Sequence, residues 1–155
     1  PRIKSLNYLN NILAKTEALE AGVFEAVMYN DQGYVAEATA DNLFIVNYAS
    51  GGGSQGKPNI LTPPLSAGCL EGVTRNLVID LARTAGFEVR EENLTRHDLY
   101  TADEMFLTGT GAEVIPVVDL DNRLIGPAHH EGQVGDTTKQ LIAAFREMVK
   151  DAPED

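Results

Sequence analysis

Leu43-Phe44-Ile45-Val46 is a run of four apolar residues. With no polar position to turn toward water, it reads as a strand buried on both faces and therefore as a central strand of a sheet. Its flanks decide what kind of sheet. Upstream, Phe24 to Met28 and Tyr34 to Glu37 bracket the turn-rich Tyr29-Asn30-Asp31-Gln32-Gly33, which predicts a hairpin. Downstream, Asn59 to Thr62 is the returning strand, closed by Pro63-Pro64. Between them lies Gly51-Gly52-Gly53-Ser54-Gln55-Gly56, where glycine density raises the entropic cost of ordering and no helix start follows, so it reads as a loop tip without chemistry.

Further from that strand the periodicity changes. Ser5 to about Ala21 places Leu6, Leu9, Ile12 and Leu13 at helical spacing, and Gly22 stops it. Val73, Leu77, Leu81 and Ala85 recur about every four residues until Gly86, and Thr137 to about Lys150 forms a closing helix through Leu141, Ile142, Phe145 and Val149. Thr95-x-x-Asp98 has the form of a short helix start. Phe87 to Glu91 and Met105-Phe106-Leu107 read as strands, and Val114 to Leu120 with Arg123 to Ile125 as a last hairpin around Asp121-Asn122. Strands and helices mix without regular alternation, which predicts an α+β domain with a mixed or antiparallel sheet and outer helices rather than a doubly wound fold.

The 155 residues suit one domain able to bury a core, with 43% hydrophobic and 23% charged residues. A formal charge of -11 excludes general affinity for nucleic acid or an anionic membrane. Cys69 is alone and cannot form an internal disulfide, and no apolar run approaches the roughly 20 residues of a membrane span, so a cytoplasmic protein is expected. Pro1 stands where an initiator methionine would, which predicts a processed or truncated piece.

Four places could hold chemistry. Leu70-Glu71-Gly72-Val73-Thr74-Arg75 opens a helix whose unpaired N–H groups and dipole suit a phosphate. Thr108-Gly109-Thr110-Gly111 is a polar turn after an apolar strand, fit for phosphate or carboxylate oxygens. Glu37, between Ala36 and Ala38, could hold a pyridinium nitrogen protonated. Lys4 taken by itself is an ordinary solvated charge near a terminus expected to fray. His129 and His130 lack the spacing of two ligands on one helix face and His97 stands apart, so no metal is expected, and Cys69 reads as a small buried hydrophobe.

Taken in order, Lys4-Ser5-Leu6-Asn7-Tyr8-Leu9-Asn10-Asn11, Val35 to Phe44, Leu70 to Arg75 and Asp103 to Val117 closely resemble the class IV (fold type IV) aminotransferases over nearly the whole chain. The resemblance implies pyridoxal 5'-phosphate as cofactor. It implies that Lys4 is the catalytic residue, binding the cofactor covalently and then shuttling the substrate proton, with Glu37 on the pyridine nitrogen, Leu70 against the ring and Tyr8 close by. Gly72, Val73, Thr74, Gly109 and Thr110 would complete the cofactor site, and Thr110 and Gly111 would meet the substrate carboxylate. Within the family, Asn7-Tyr8-Leu9 with Glu37 looks most like branched-chain amino acid aminotransferases acting with 2-oxoglutarate; D-amino acid aminotransferases and aminodeoxychorismate lyases share the lysine and glutamate. Ala38 and Ala40 stand where many members have glycine. By the same resemblance, residues 1–155 are one domain, the C-terminal cofactor-binding domain, without the family's smaller N-terminal domain, and a homodimer is expected. The reading from another class is a non-catalytic, self-associating scaffold domain.

Overall fold

A computed structural model describes residues 4–48, 57–127 and 131–150. The glycine-rich stretch 51–56 and His129 and His130 lie outside the described residues. The elements in chain order are α1 (Leu9–Glu20), β1 (Val27–Tyr29), β2 (Val35–Ala38), β3 (Asn42–Asn47), β4 (Asn59–Thr62), α2 (Val73–Thr84), β5 (Glu88–Glu91), α3 (Arg96–Tyr100), β6 (Glu104–Gly109), β7 (Glu113–Val117), β8 (Asp119–Leu120), β9 (Arg123–Leu124) and α4 (Asp136–Lys150).

The strand read from Leu43 to Val46 is the middle of a five-stranded sheet ordered β5-β4-β3-β6-β7. Its pairs with β4 and β6 are antiparallel, as is β6 with β7, whereas β5 returns parallel to β4 after the α2 crossover. The sheet is therefore mixed and the domain α+β, as the lack of alternation predicts. Alternation along β3 and β6 divides the core in two. Leu43, Ile45, Met105 and Leu107 meet Val35, Leu94, Leu99 and Ile125 on one face. Phe44, Val46 and Phe106 meet Val78, Ile79, Leu141 and Phe145 of α2 and α4 on the other. Phe44 and Phe106 stack with ring centroids 4.9 Å apart and planes 6° from parallel.

Three expectations need correction. The last hairpin is split: Val114 and its neighbours pair with β6 around the Thr110-Gly111 turn, and only Asp119 and Leu120 face Arg123 and Leu124. Periodicity cannot choose between two available partners, and burial of Val114 against the α2 and α4 cluster favours β6. The Asp121-Asn122 turn itself stands, both residues taking φ near +60° as a two-residue hairpin turn requires. The first helix starts at Leu9 instead of Ser5, and its apolar residues do not enter the core: Leu9, Ile12, Leu13 and Leu19 are exposed and only Ala18 is buried. The first strand begins at Val27, leaving Phe24 outside it and exposed. Elsewhere the patterns locate the elements to within a residue or two, and Thr95 and Asp98 form a reciprocal capping box at α3. Among the described residues no helix is long and apolar enough to cross a membrane.

Candidate active site

β2 ends one edge of the site. Ala36 and Ala38 are packed, and Glu37 between them is half-buried. Its Oε2 accepts a hydrogen bond from the backbone N–H of Leu70 at 2.9 Å and a longer one, 3.4 Å, from Asn42 Nδ2. Asn42 Nδ2 also donates to the Leu70 carbonyl at 2.9 Å, so one amide side chain spans the carboxylate and the turn leading into α2. Burial pushes the Glu37 carboxyl above the ordinary carboxylate range, while the Leu70 N–H and the Lys4 charge pull it part of the way back.

That turn needs glycine at one point. A Cβ on Gly72 would fall 2.1 Å from Asn42 Oδ1, inside any van der Waals contact. Gly72 is the residue preceding α2 and offers no side chain, so no side chain caps the first-turn N–H groups. Val73 in that turn is exposed and Thr74 is buried. Arg75, only 2% exposed, ties the turn down through Nη2 to the Pro63 carbonyl at 3.0 Å and to Glu91 Oε2 at 2.7 Å.

On the other side, Asp41 presses on the end of β6: a Cβ on Gly109 would lie 1.9 Å from Asp41 Oδ1. Asn42 sits opposite Thr108 in the β3/β6 register, and the buried Thr108 hydroxyl has no hydrogen-bond partner. Thr110 and Gly111 follow as an exposed turn; no described contact joins them to Glu37, and they adjoin the site only through Gly109. Tyr8 and Asn11 reach across from α1 and its entry, the hydroxyl of Tyr8 and Asn11 Nδ2 both donating to the Thr39 carbonyl. Burial raises the Tyr8 hydroxyl above its usual range, with the Glu37 charge adding to it. Lys4 is exposed and lies outside regular structure, yet its charge acts on both Glu37 and Asp41.

The structure thus brings Tyr8, Glu37, Leu70 and Gly72 around the turn between β2 and β3, with Gly109 joined through Asp41 and the Lys4 charge within electrostatic reach. Sequence singled out those residues but left Thr39, Asp41, Asn42 and Arg75 without roles, because a polar residue at the mouth of an apolar run looks like any strand end. The two tight glycines were the usable signal: each marks where Asn42 or Asp41 closes in. His97 is exposed on α3, and Cys69 is buried with its thiol raised chiefly by burial. Among the described residues no cluster of His, Cys, Asp and Glu could hold a metal ion.

The donor set fits a phosphorylated pyridine aldehyde. It offers a half-buried carboxylate for a ring nitrogen, an uncapped helix start for a phosphate and an amine within electrostatic reach of that carboxylate.

Residues 1–120 match the family model described as "Amino-transferase class IV". The "Probable branched-chain-amino-acid aminotransferase" of Aquifex aeolicus is 50% identical over 144 residues, 92% of this chain and 42% of that relative. The branched-chain-amino-acid aminotransferase of Pseudomonas aeruginosa is 38% identical over 147 residues, 95% of this chain and 43% of its own length. Among solved structures, the branched-chain amino acid aminotransferase of Thermobaculum terrenum in its PLP-form superposes with a TM-score of 0.84 at 39% identity, covering 96% of this chain and 45% of that one. The chain spans less than half the length of these relatives.

Proposed function

The chain belongs to the class IV aminotransferase family, and from that premise we propose that it is the cofactor-binding domain of an enzyme that moves the amino group between branched-chain amino acids and 2-oxoglutarate. The observation that carries this is the meeting of three groups at one turn: the Glu37 carboxylate bonded to Leu70, the uncapped start of α2 two residues further on, and the Lys4 charge acting on Glu37. Relatives named for branched-chain substrates support the substrate class. A homodimer in the cytoplasm is the setting that goes with this reading.

Pyridoxal phosphate, when bound, supplies an electron sink that acidifies the Cα–H of an amino acid. Lys4 Nζ would be the group that holds it and the base available to the Cα proton. Glu37 would keep a proton on the ring nitrogen, and its raised pKa is the cost of holding an anion in a half-buried place without a cation to share it. The N–H groups of Val73 and Thr74 at the start of α2 would hold the phosphate, with Gly72 and Thr110 as further candidates for it. Leu70 and Tyr8 would contribute to holding the ring, and the backbone of Thr110 and Gly111 would be available to the substrate carboxylate. Asn42 holds Glu37 and Leu70 in register for this work.

Adding pyridoxal phosphate to the protein is expected to give a visible absorbance band that Lys4→Ala abolishes, and leucine, isoleucine and valine to be transaminated faster than D-amino acids. A protein that never binds the cofactor would sink the proposal. The exposed apolar side of α1 favours a second reading, a self-associating domain without activity of its own; transamination by the 155-residue chain alone rules it out.

A further inference from the structure

α1 buries only Ala18 against this chain, so apolar packing does not fix it to the sheet. Its attachment is polar and converges on one residue. Thr39, 2% exposed, lies in the turn between β2 and β3, two residues after Glu37 and two before Asp41. Every polar group it has is taken by the segment around α1. Its N–H donates to Glu25 Oε2 at 2.9 Å and its hydroxyl to the same oxygen at 2.5 Å, while its carbonyl accepts from Tyr8 and from Asn11, the latter at 2.9 Å. The other oxygen of Glu25 pairs with Lys15 of α1, whose ammonium also donates to the Phe24 carbonyl. Glu25 therefore grips the turn with one oxygen and the helix with the other. Lys4 precedes that helix by five residues.

We propose that Glu25 is a positioning residue: by holding Thr39 and Lys15 together it fixes the α1 segment on the turn between β2 and β3 and so sets where Lys4, which precedes that helix, lies relative to Glu37. The inference rests on the proposed cofactor site and adds a residue that does not touch the cofactor. The charges concerned are close enough to act on one another, since Asp41, raised first by burial, also responds to Glu25, Lys15 and Lys4. Removing the carboxylate leaves a buried N–H and hydroxyl without acceptors and Lys15 with only the Phe24 carbonyl, so α1 is held on the turn by the Tyr8 and Asn11 bonds alone. Removing only the Thr39 hydroxyl loses one of the bonds.

The test compares Glu25→Ala, Thr39→Val and Thr39→Ser in the full chain, with Leu141→Ala as a control that weakens the α2 and α4 cluster far from the clamp. Three quantities are read: the dissociation constant of pyridoxal phosphate from absorbance titration, the pH midpoint of the visible band of the bound cofactor, and amide exchange across residues 9–20. Glu25→Ala is expected to weaken the cofactor at least tenfold, move the midpoint by half a unit or more and speed exchange in α1. Thr39→Val is expected to do the same to a smaller extent, and Thr39→Ser to stay within twofold of the parent. Leu141→Ala is expected to lower the melting temperature without moving the midpoint. Unchanged affinity and midpoint in Glu25→Ala, or an equal midpoint shift in Leu141→Ala, would overturn the inference while leaving the cofactor site standing. An unsubstituted protein with no visible band at all would remove both.

Discussion

Glu37 works against the stability of the domain that bears it. Burial raises its carboxyl in the folded protein above its unfolded value, so folding binds a proton. The stability this group contributes is full below the unfolded carboxyl pKa, about 4.3, and is lost as pH rises through the raised folded value. Glu37→Gln keeps an acceptor for the Leu70 N–H and removes the buried charge. At pH 7, without cofactor, it is expected to melt roughly 1–3 °C higher than the parent, the shift of under about 1 kcal/mol in a domain of this size. Below about pH 4 the difference should vanish. Cofactor titration should move the opposite way, with weaker binding in the Gln variant; a Gln variant less stable than the parent at pH 7 would contradict the assignment. At Gly72 a methyl would fall on Asn42 Oδ1, so Gly72→Ala must displace the amide that spans Glu37 and Leu70. A loss of about 1–3 kcal/mol in denaturant unfolding is expected, together with weakened cofactor binding.

At the scale of elements, the start of α4 is held by a residue that sequence did not mark. Glu104, buried at the head of β6, accepts from the Thr137 N–H at 3.0 Å, the Thr138 N–H at 2.7 Å, the Thr138 hydroxyl and the Tyr48 hydroxyl. These bonds satisfy donors that the helix itself cannot, and they pin α4 over β6. Glu104→Ala leaves the Thr137 and Thr138 donors buried and unpaired. It should cost about 3 kcal/mol or more, which in thermal melts is a fall of roughly 6–12 °C, and Glu104→Gln should cost less. Little change in the Ala variant would mean that water reaches the helix start. Glu104 also shows where sequence was legible and where it was not. β3, β4, α2 and α4 were readable because each is decided by a local pattern: an apolar run, a Pro-closed return, a four-residue period. The split of β7 from β8 was not, because it depends on which strand folds alongside. The same holds for the site: Glu37 and the two glycine turns are visible as candidates and Lys4 only through the family resemblance, whereas Asn42, Asp41, Glu25 and Glu104 acquire roles only when another element arrives beside them.

For the molecule as a whole, two surface properties oppose each other. Leu9, Ile12 and Leu13 share one side of α1, with Leu6 and Phe24 exposed at either end of the segment, Phe24 at 82%. Bare apolar area of this kind drives association. The net charge of -11 resists it, because two copies of the chain repel at low ionic strength. Salt screens that repulsion within a Debye length of about 10 Å at 0.1 M and leaves the apolar term in place. The isolated chain is therefore expected to self-associate more at 0.5 M than at 0.02 M sodium chloride, as read by light scattering or sedimentation, and to bind a hydrophobic dye at both. Replacing Leu9 and Leu13 together by Glu should abolish the salt-dependent association and the dye signal. Because neither side chain belongs to either core cluster, the melting temperature should move by no more than about 2 °C, the effect of surface substitutions of about 0.5 kcal/mol. A double variant that fails to fold would place those leucines in the core after all, and one that associates as before would move the sticky surface elsewhere on the molecule.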